Sequence, residues 1–123
     1  MRDTRGFSLI EVLVVIAIIG VLSGISIAQY AGYRARGYDT KVAATVRGVA
    51  TGEEAYYAQH QAYAASVVQI DHVGVGDVAI TIAAGNSGDL QTSFKVIGTH
   101  PNATRSYTWL SDPTPGQPNL LEN

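Results

Sequence analysis

A single carboxylate stands at the start of the longest apolar stretch in this 123-residue chain. Glu11 is the only charged residue between Phe7 and Tyr33. Residues 12–28 contain eleven Val, Leu and Ile residues, which favour membrane insertion by roughly −3 to −7 kcal/mol. We therefore expect this stretch to enter a bilayer. A charge retained at its end is a candidate functional group, because charges in such segments are costly.

Few other residues have types and spacing suited to chemistry. The chain has no cysteine, which excludes thiolate metal ligands and cysteine nucleophiles. Glu53 and His60 are seven residues apart on one predicted helix face, but without a third ligand a polar edge of the packing face is favoured. The net charge of −2 gives no reason to expect a nucleic-acid partner. The sequence therefore predicts no catalytic residue, metal or cofactor, and a non-enzyme.

One modification motif occurs in the second half of the chain. Asn102-Ala103-Thr104 matches the glycosylation sequon and lies in a predicted surface loop. A three-residue match arises easily by chance, so Asn102 is retained only as a glycosylation candidate.

The physics of the apolar stretch alone leaves three interpretations open. Residues 8–28 are long enough to form a plain membrane anchor. The small residues at Ser26 and Ala28 also resemble a signal-peptidase site, with cleavage after Ala28. A third interpretation is a specialised assembly segment.

Two features favour the assembly segment. Cleavage between Gly6 and Phe7 would create an α-ammonium close to Glu11, or to the Glu11 of a neighbouring copy, and a buried carboxylate is tolerable when paired with a cation. In addition, Gly20-x-x-x-Gly24 would allow two helices to approach closely in lipid.

The segment Gly6-Phe7-Ser8-Leu9-Ile10-Glu11, followed by the apolar run through Leu22, resembles the N-terminal signature of type IV pilins and type II secretion pseudopilins. The resemblance implies that a prepilin peptidase cuts after Gly6 and methylates Phe7, while the basic leader stays cytoplasmic. It also implies that Glu11 pairs with a neighbouring subunit's N-terminus as the copies form a homo-oligomeric filament.

By this resemblance the chain is a structural subunit of a type IV pilus. It would be held in the cytoplasmic membrane, with its N-terminus inside, until the assembly machinery adds it to an extracellular filament. The alternatives are a type II secretion pseudopilin and, more distantly, an exported binding module cleaved after Ala28. Adhesion, motility, DNA uptake, electron conduction and secretion are all uses of such filaments. One departure is Ala28, where the family commonly has proline, so the usual reason for local melting is removed.

The helical pattern continues beyond the apolar stretch, to about residue 65. Four-three spacing marks one stripe that suits packing on a small sheet: Val42, Val46, Val49, Glu53, Tyr56, His60 and Tyr63.

Strand patterns follow at residues 78–83, 90–97 and 106–110, and Pro-rich sequence from Ser111 predicts an extended, mobile tail. The predicted fold class is α+β, in which the C-terminal half of a long N-terminal helix packs on a three-stranded antiparallel sheet. The chain is predicted to have four parts. These are a removed leader (residues 1–6), a membrane and assembly helix (residues 7–28), an amphipathic continuation of the helix (residues 29–65), and a loop with the β-meander and tail (residues 66–123).

Overall fold

The computed structural model describes residues 6–70 and 73–123, so residues 1–5 of the predicted leader lie outside the described residues. One long helix, α1, spans Leu9–His60, and a short 3₁₀ helix spans Val67–Gln69. Four strands follow: β1 (Ala79–Ala84), β2 (Phe94–Thr99), β3 (Tyr107–Leu110) and β4 (Leu120–Glu122). The chain divides into two compact units, Met1–Arg34 and Ala35–Asn123, which are described in turn.

The first unit contains the apolar part of α1. Every described residue of this unit is exposed, including all of its large apolar side chains. The helix is unbroken through residues 20–28, and the Ser26 hydroxyl donates to the Leu22 carbonyl oxygen at 2.8 Å. This part of α1 is long and apolar enough to cross a membrane by length and composition. Its backbone bonds are made within the helix, as a bilayer requires.

The core of the second unit confirms the valines of the predicted stripe on α1, whereas His60 is exposed and Tyr63 lies beyond the end of the helix. Val42, Val46 and Val49 are fully buried, together with Phe94 and Val96 of β2. β2 approaches the helix closely at Gly98, where a Cβ atom would collide with the Val46 side chain. Burial of these side chains supplies the hydrophobic stabilisation of this unit.

The sheet is an antiparallel meander with strand order β1-β2-β3-β4. Residues that face each other across antiparallel strands lie on the same face of a sheet. The register therefore places one apolar row across all four strands, facing α1: Ile82, Val96, Trp109 and Leu120.

The predicted three-stranded sheet with an extended tail was wrong in its strand count. β4 pairs with β3 in the tail, and the backbone groups of Ser106 and Asn123 exchange two hydrogen bonds of 3.1 and 2.9 Å. Three prolines in the tail precede this strand, and their presence argued against regular structure there. Leu120 of the strand nevertheless packs against the core. Tertiary packing determines β4, and local sequence pattern does not reveal it.

Two predicted boundaries also require correction. α1 ends at His60, five residues before the predicted end at 65, because Gln61 adopts a left-handed backbone with φ 55°. β2 begins at Phe94 instead of residue 90, because the Asp89 carbonyl oxygen accepts hydrogen bonds from the N–H groups of Thr92 and Ser93 and forms a turn.

Two glycines one turn apart on α1 provide a matched test of this packing. A Cβ at Gly52 would lie 2.5 Å from Ile70 Cγ2 and 2.8 Å from Val73 Cγ2, whereas nothing lies within 4 Å of one at Gly48. Gly48→Ala should therefore raise the free energy of unfolding by up to about 1 kcal/mol through helix propensity. Gly52→Ala should lower it relative to Gly48→Ala by about 1–3 kcal/mol, because the core becomes overpacked.

Urea unfolding of the full chain in detergent micelles, followed by the fluorescence of Trp109, the only tryptophan, measures both effects. Equal free energies of unfolding for the two variants would contradict the close packing of residues 70 and 73 on α1.

Candidate functional site: the start of helix α1

The carboxylate of Glu11 is held by Ser8, the residue directly before α1. Glu11 Oε2 accepts hydrogen bonds from the Ser8 N–H at 2.9 Å and from the Ser8 hydroxyl at 3.1 Å. In return, the Glu11 N–H donates to Ser8 Oγ at 3.3 Å. This reciprocal arrangement is a capping box, which satisfies N–H groups that a helix N-terminus leaves unpaired. Glu11 therefore has a structural partner within its own chain.

This capping role was not predicted from the sequence, although the sequence contains its signal. Ser8-x-x-Glu11 immediately before an apolar run is the sequence pattern of a capping box. The negative charge also lies at the positive end of the helix dipole, where it is stabilising. Both effects reduce the cost of carrying a carboxylate at the edge of an apolar segment.

Gly6 and Phe7, the residues at the predicted cleavage position, lie directly before the capping box. Both are exposed and outside regular secondary structure, and the Phe7 side chain is 89% exposed. The peptide bond between them is thus not part of the helix. An amine released at Phe7 would be one residue from the Ser8 N–H that already binds Glu11.

Gly20 and Gly24 lie on an uncovered surface of α1. Both are exposed, and no atom of the described chain lies within 4 Å of a Cβ placed at either position. The described chain therefore does not use these glycines for its own packing. They leave room for the backbone of another helix.

Comparison with known proteins identifies the same N-terminal segment. Residues 1–27 match the family described as the prokaryotic N-terminal methylation motif. The chain is 28% identical to the type IV wide pilus major component PilA4 of Thermus thermophilus over 104 residues. That match covers 85% of this chain and 79% of the relative, and therefore includes the second unit as well as the apolar segment.

The chain is similar to type IV pilus proteins.

Two further relatives match this chain over shorter lengths. A fimbrial protein of Pseudomonas aeruginosa is 43% identical over 54 residues, which are 44% of this chain and 35% of the relative. The type IV major pilin protein PilA of Myxococcus xanthus is 30% identical over 59 residues, covering 48% of this chain and 27% of the relative. The chain thus spans about a third or less of these two relatives.

The structure does not bring Glu53 and His60 together as an acid–base pair. Glu53 is fully buried and accepts the Ala64 N–H at 2.8 Å, so it lies within the core and not at its edge. His60 is exposed, stacks on Tyr56 with ring centroids 4.0 Å apart, and has its Nδ1 3.1 Å from the Tyr56 carbonyl oxygen. Among the described residues, no group of three His, Asp or Glu side chains could hold a metal ion.

The loop that contains Asn102 is attached to α1 by Asp39. The two carboxylate oxygens of this buried residue accept the Thr104 N–H at 2.8 Å, the Thr104 hydroxyl at 2.7 Å and the Arg105 N–H at 3.1 Å. The hydrogen bond from the Thr104 hydroxyl is the largest influence that lowers the pKa of Asp39. Asn102 is exposed, but the sequon hydroxyl is already engaged. Glycosylation of Asn102 stays a prediction.

A second attachment of this loop to α1 was also not predicted from the sequence. Lys41 of α1 pairs with Asp77, whose other carboxylate oxygen lies 3.1 Å from His100 Nε2. His100 Nδ1 accepts the Asn102 N–H at 3.0 Å, so Nε2 carries the proton and donates to Asp77. The hydrogen bond from Lys41, followed by that from His100, lowers the pKa of Asp77 to about 2. The buried histidine fastens the loop to the helix, and its second nitrogen is occupied.

Removal of the capping hydroxyl should weaken the first turn of α1 specifically. Ser8→Ala should destabilise the first turn by about 1 kcal/mol, because the helix loses its N-cap acceptor. Ser8→Thr should retain the cap, since threonine serves the same role. NMR amide exchange of Leu9 to Val12 in detergent micelles measures this turn, with Ser26→Ala as a control in the helix interior. Unchanged exchange in Ser8→Ala would contradict the capping role.

Proposed function

We propose that this chain is a structural subunit of a type IV pilus, held in the cytoplasmic membrane before it polymerises through its apolar helix into an extracellular filament. The observation that carries this proposal is the complete exposure of the described residues 6–34, among them the large apolar side chains of residues 7–27. Such a surface requires a nonaqueous environment. Lipid supplies it first, and the helices of neighbouring copies replace the lipid in the filament.

The processing step fits the local geometry at the helix start. A prepilin peptidase would cut after Gly6 and methylate the Phe7 amine, in a segment that is exposed and outside the helix. The match to the N-terminal methylation motif over residues 1–27 supports this assignment. Arg2 and Arg5 of the leader favour a cytoplasmic N-terminus.

The pairing step assigns the Glu11 carboxylate to the Phe7 ammonium of a neighbouring subunit. Each processed subunit would offer an anion and a cation at the same helix end, four residues apart. A pair that runs from one copy to the next is heterologous, and such contacts build open helical assemblies. The capping box fixes the position of the carboxylate before assembly. Both bonds from Ser8 use Oε2, so the cap does not prevent a partner ammonium from binding at the other carboxylate oxygen.

The comparisons favour a pilus subunit over the two alternatives. The similar proteins described above are a pilus component, a fimbrial protein and a major pilin, and not secretion components. Residues 26–28, where an exported module would be cleaved, lie inside α1. We propose a structural and not a catalytic role, with prepilin peptidase and a pilus assembly machinery as partners.

Glu11→Gln separates the charge of this residue from its capping role. Glutamine serves at this position of a capping box, so α1 should begin at the same residue while the ion pair between copies is lost. We expect normal membrane insertion and at least a tenfold lower yield of filaments sheared from cells. Loss of a single partner from a buried ion pair costs about 3–5 kcal/mol, which exceeds the effect of losing a cap.

Ser8→Ala is the matched control, because it removes the cap and retains the charge. Its filament yield should exceed that of Glu11→Gln. A normal yield from Glu11→Gln would contradict the proposed pairing. An equal loss in both variants would contradict it too, because the charge that Ser8→Ala retains would then give no advantage.

A further inference from the structure

The carboxyl group of Glu53 is buried, and only one of its two oxygens accepts a hydrogen bond from the described residues. Its residue has no accessible surface. Oε2 accepts the Ala64 N–H at 2.8 Å, but Oε1 has no hydrogen-bond partner in the part of the chain that the structure describes. A buried carboxylate with an unpaired oxygen is unfavourable, whereas a protonated carboxyl group tolerates this environment far better.

The titratable groups that act on Glu53 supply no positive charge to balance an ionised carboxylate. Glu54, the next residue on α1, opposes ionisation, and Tyr63 from the following segment is a neutral neighbour whose own pKa is raised, chiefly by burial. His60 is two turns further along α1 and is exposed, with its Nδ1 at the Tyr56 carbonyl oxygen. Burial is the largest influence on Glu53 and raises its pKa to about 7, although the Ala64 N–H acts in the opposite direction.

Glu53 contacts the segment that reverses the chain after α1, which we call the latch segment (residues 61–70). This segment begins at the left-handed Gln61, and the Tyr63 N–H donates to the Leu90 carbonyl oxygen at 2.9 Å. The segment also carries Val68, which is 92% exposed. Among the described residues of the second unit, Val68 is the one large apolar side chain that is exposed.

We propose that Glu53 is a proton-controlled latch, whose neutral carboxyl group holds the latch segment on α1 and whose ionisation releases it. When the proton passes to water, the new carboxylate gains hydration only if the segment moves away. The hydrogen bond to Ala64 is then lost, and the surface that presents Val68 loses its fixed position. The attachments at Asp39 and Asp77 lie outside the latch segment and stay in place.

The sign of the pH dependence follows from the two states of the carboxyl group. Glu53 ionises near pH 4.5 when the segment is open and near pH 7 when it is closed. The closed state therefore binds the proton more tightly, and its full stability is present below pH 4.5. The open population rises as the pH increases from 4.5 to 7 and then levels off. The total change is about two orders of magnitude, since the two values differ by about 2.5 pH units.

Amide exchange and carboxyl titration of the full chain in detergent micelles test the latch by NMR between pH 4 and 8.5. We expect the protection of the Ala64 amide, corrected for intrinsic exchange, to fall at least 30-fold over this range in the wild-type protein. Glu53→Gln retains an acceptor for Ala64 but cannot ionise, so its protection should not change with pH. The Thr104 amide, held by Asp39, is the internal control and should keep its protection from pH 5 to 8.

The ¹³C titration of the wild-type Glu53 carboxyl carbon decides the question even if Glu53→Gln does not fold. A midpoint between pH 6 and 8, with a parallel loss of Ala64 protection, supports the latch. A midpoint below pH 5 would overturn it. If Glu53 titrates with a midpoint between pH 6 and 8 but the Ala64 amide stays protected above that midpoint, the latch is overturned too. An equal fall of Ala64 protection in wild type and Glu53→Gln would also overturn it.

Discussion

The exposed apolar surface at the start of α1 is the constraint on which the rest of this protein depends. Its backbone hydrogen bonds are satisfied inside the helix, but none of its large side chains is covered by the described chain. Water is a poor environment for such a surface, because the hydrophobic effect favours burial of each side chain by about 1.5–3 kcal/mol. The segment therefore requires either lipid or other copies, which in the proposed function are the environments of the precursor and of the filament.

Glu11 places a negative charge at one end of this apolar surface. In lipid alone the carboxylate would only weaken insertion. The capping role explains how the chain tolerates it, and the pairing that we propose would explain what it gains in an assembly. The cap uses one carboxylate oxygen, because Glu11 Oε2 accepts both bonds from Ser8. The second unit is fastened differently, by carboxylates at Asp39 and Asp77 that attach loops to the polar part of α1.

The elements with strong periodicity could be predicted from sequence, and those decided by single long-range contacts could not. The helix, its valine stripe and the first three strands follow from apolar spacing, although the start of β2 was misplaced. The end of α1 at His60 depends on Gln61 and on the bond between Glu53 and Ala64, while alanines there would favour a longer helix. β4 depends on pairing with β3. The roles of Ser8 and His100 were missed: the first has a readable motif, and the second joins residues 23 positions apart.

The most direct test of the central claim is mass spectrometry of the N-terminus of filaments sheared from cells that express this chain with a pilus assembly machinery. The account predicts a mature chain that begins at N-methylated Phe7, so that cleavage has created the cation that Glu11 requires. A chain that begins at Gln29 would contradict the account, because the apolar segment would then have been discarded. Filaments built from chains that retain Met1 would contradict it as well, since no α-ammonium would lie beside Glu11.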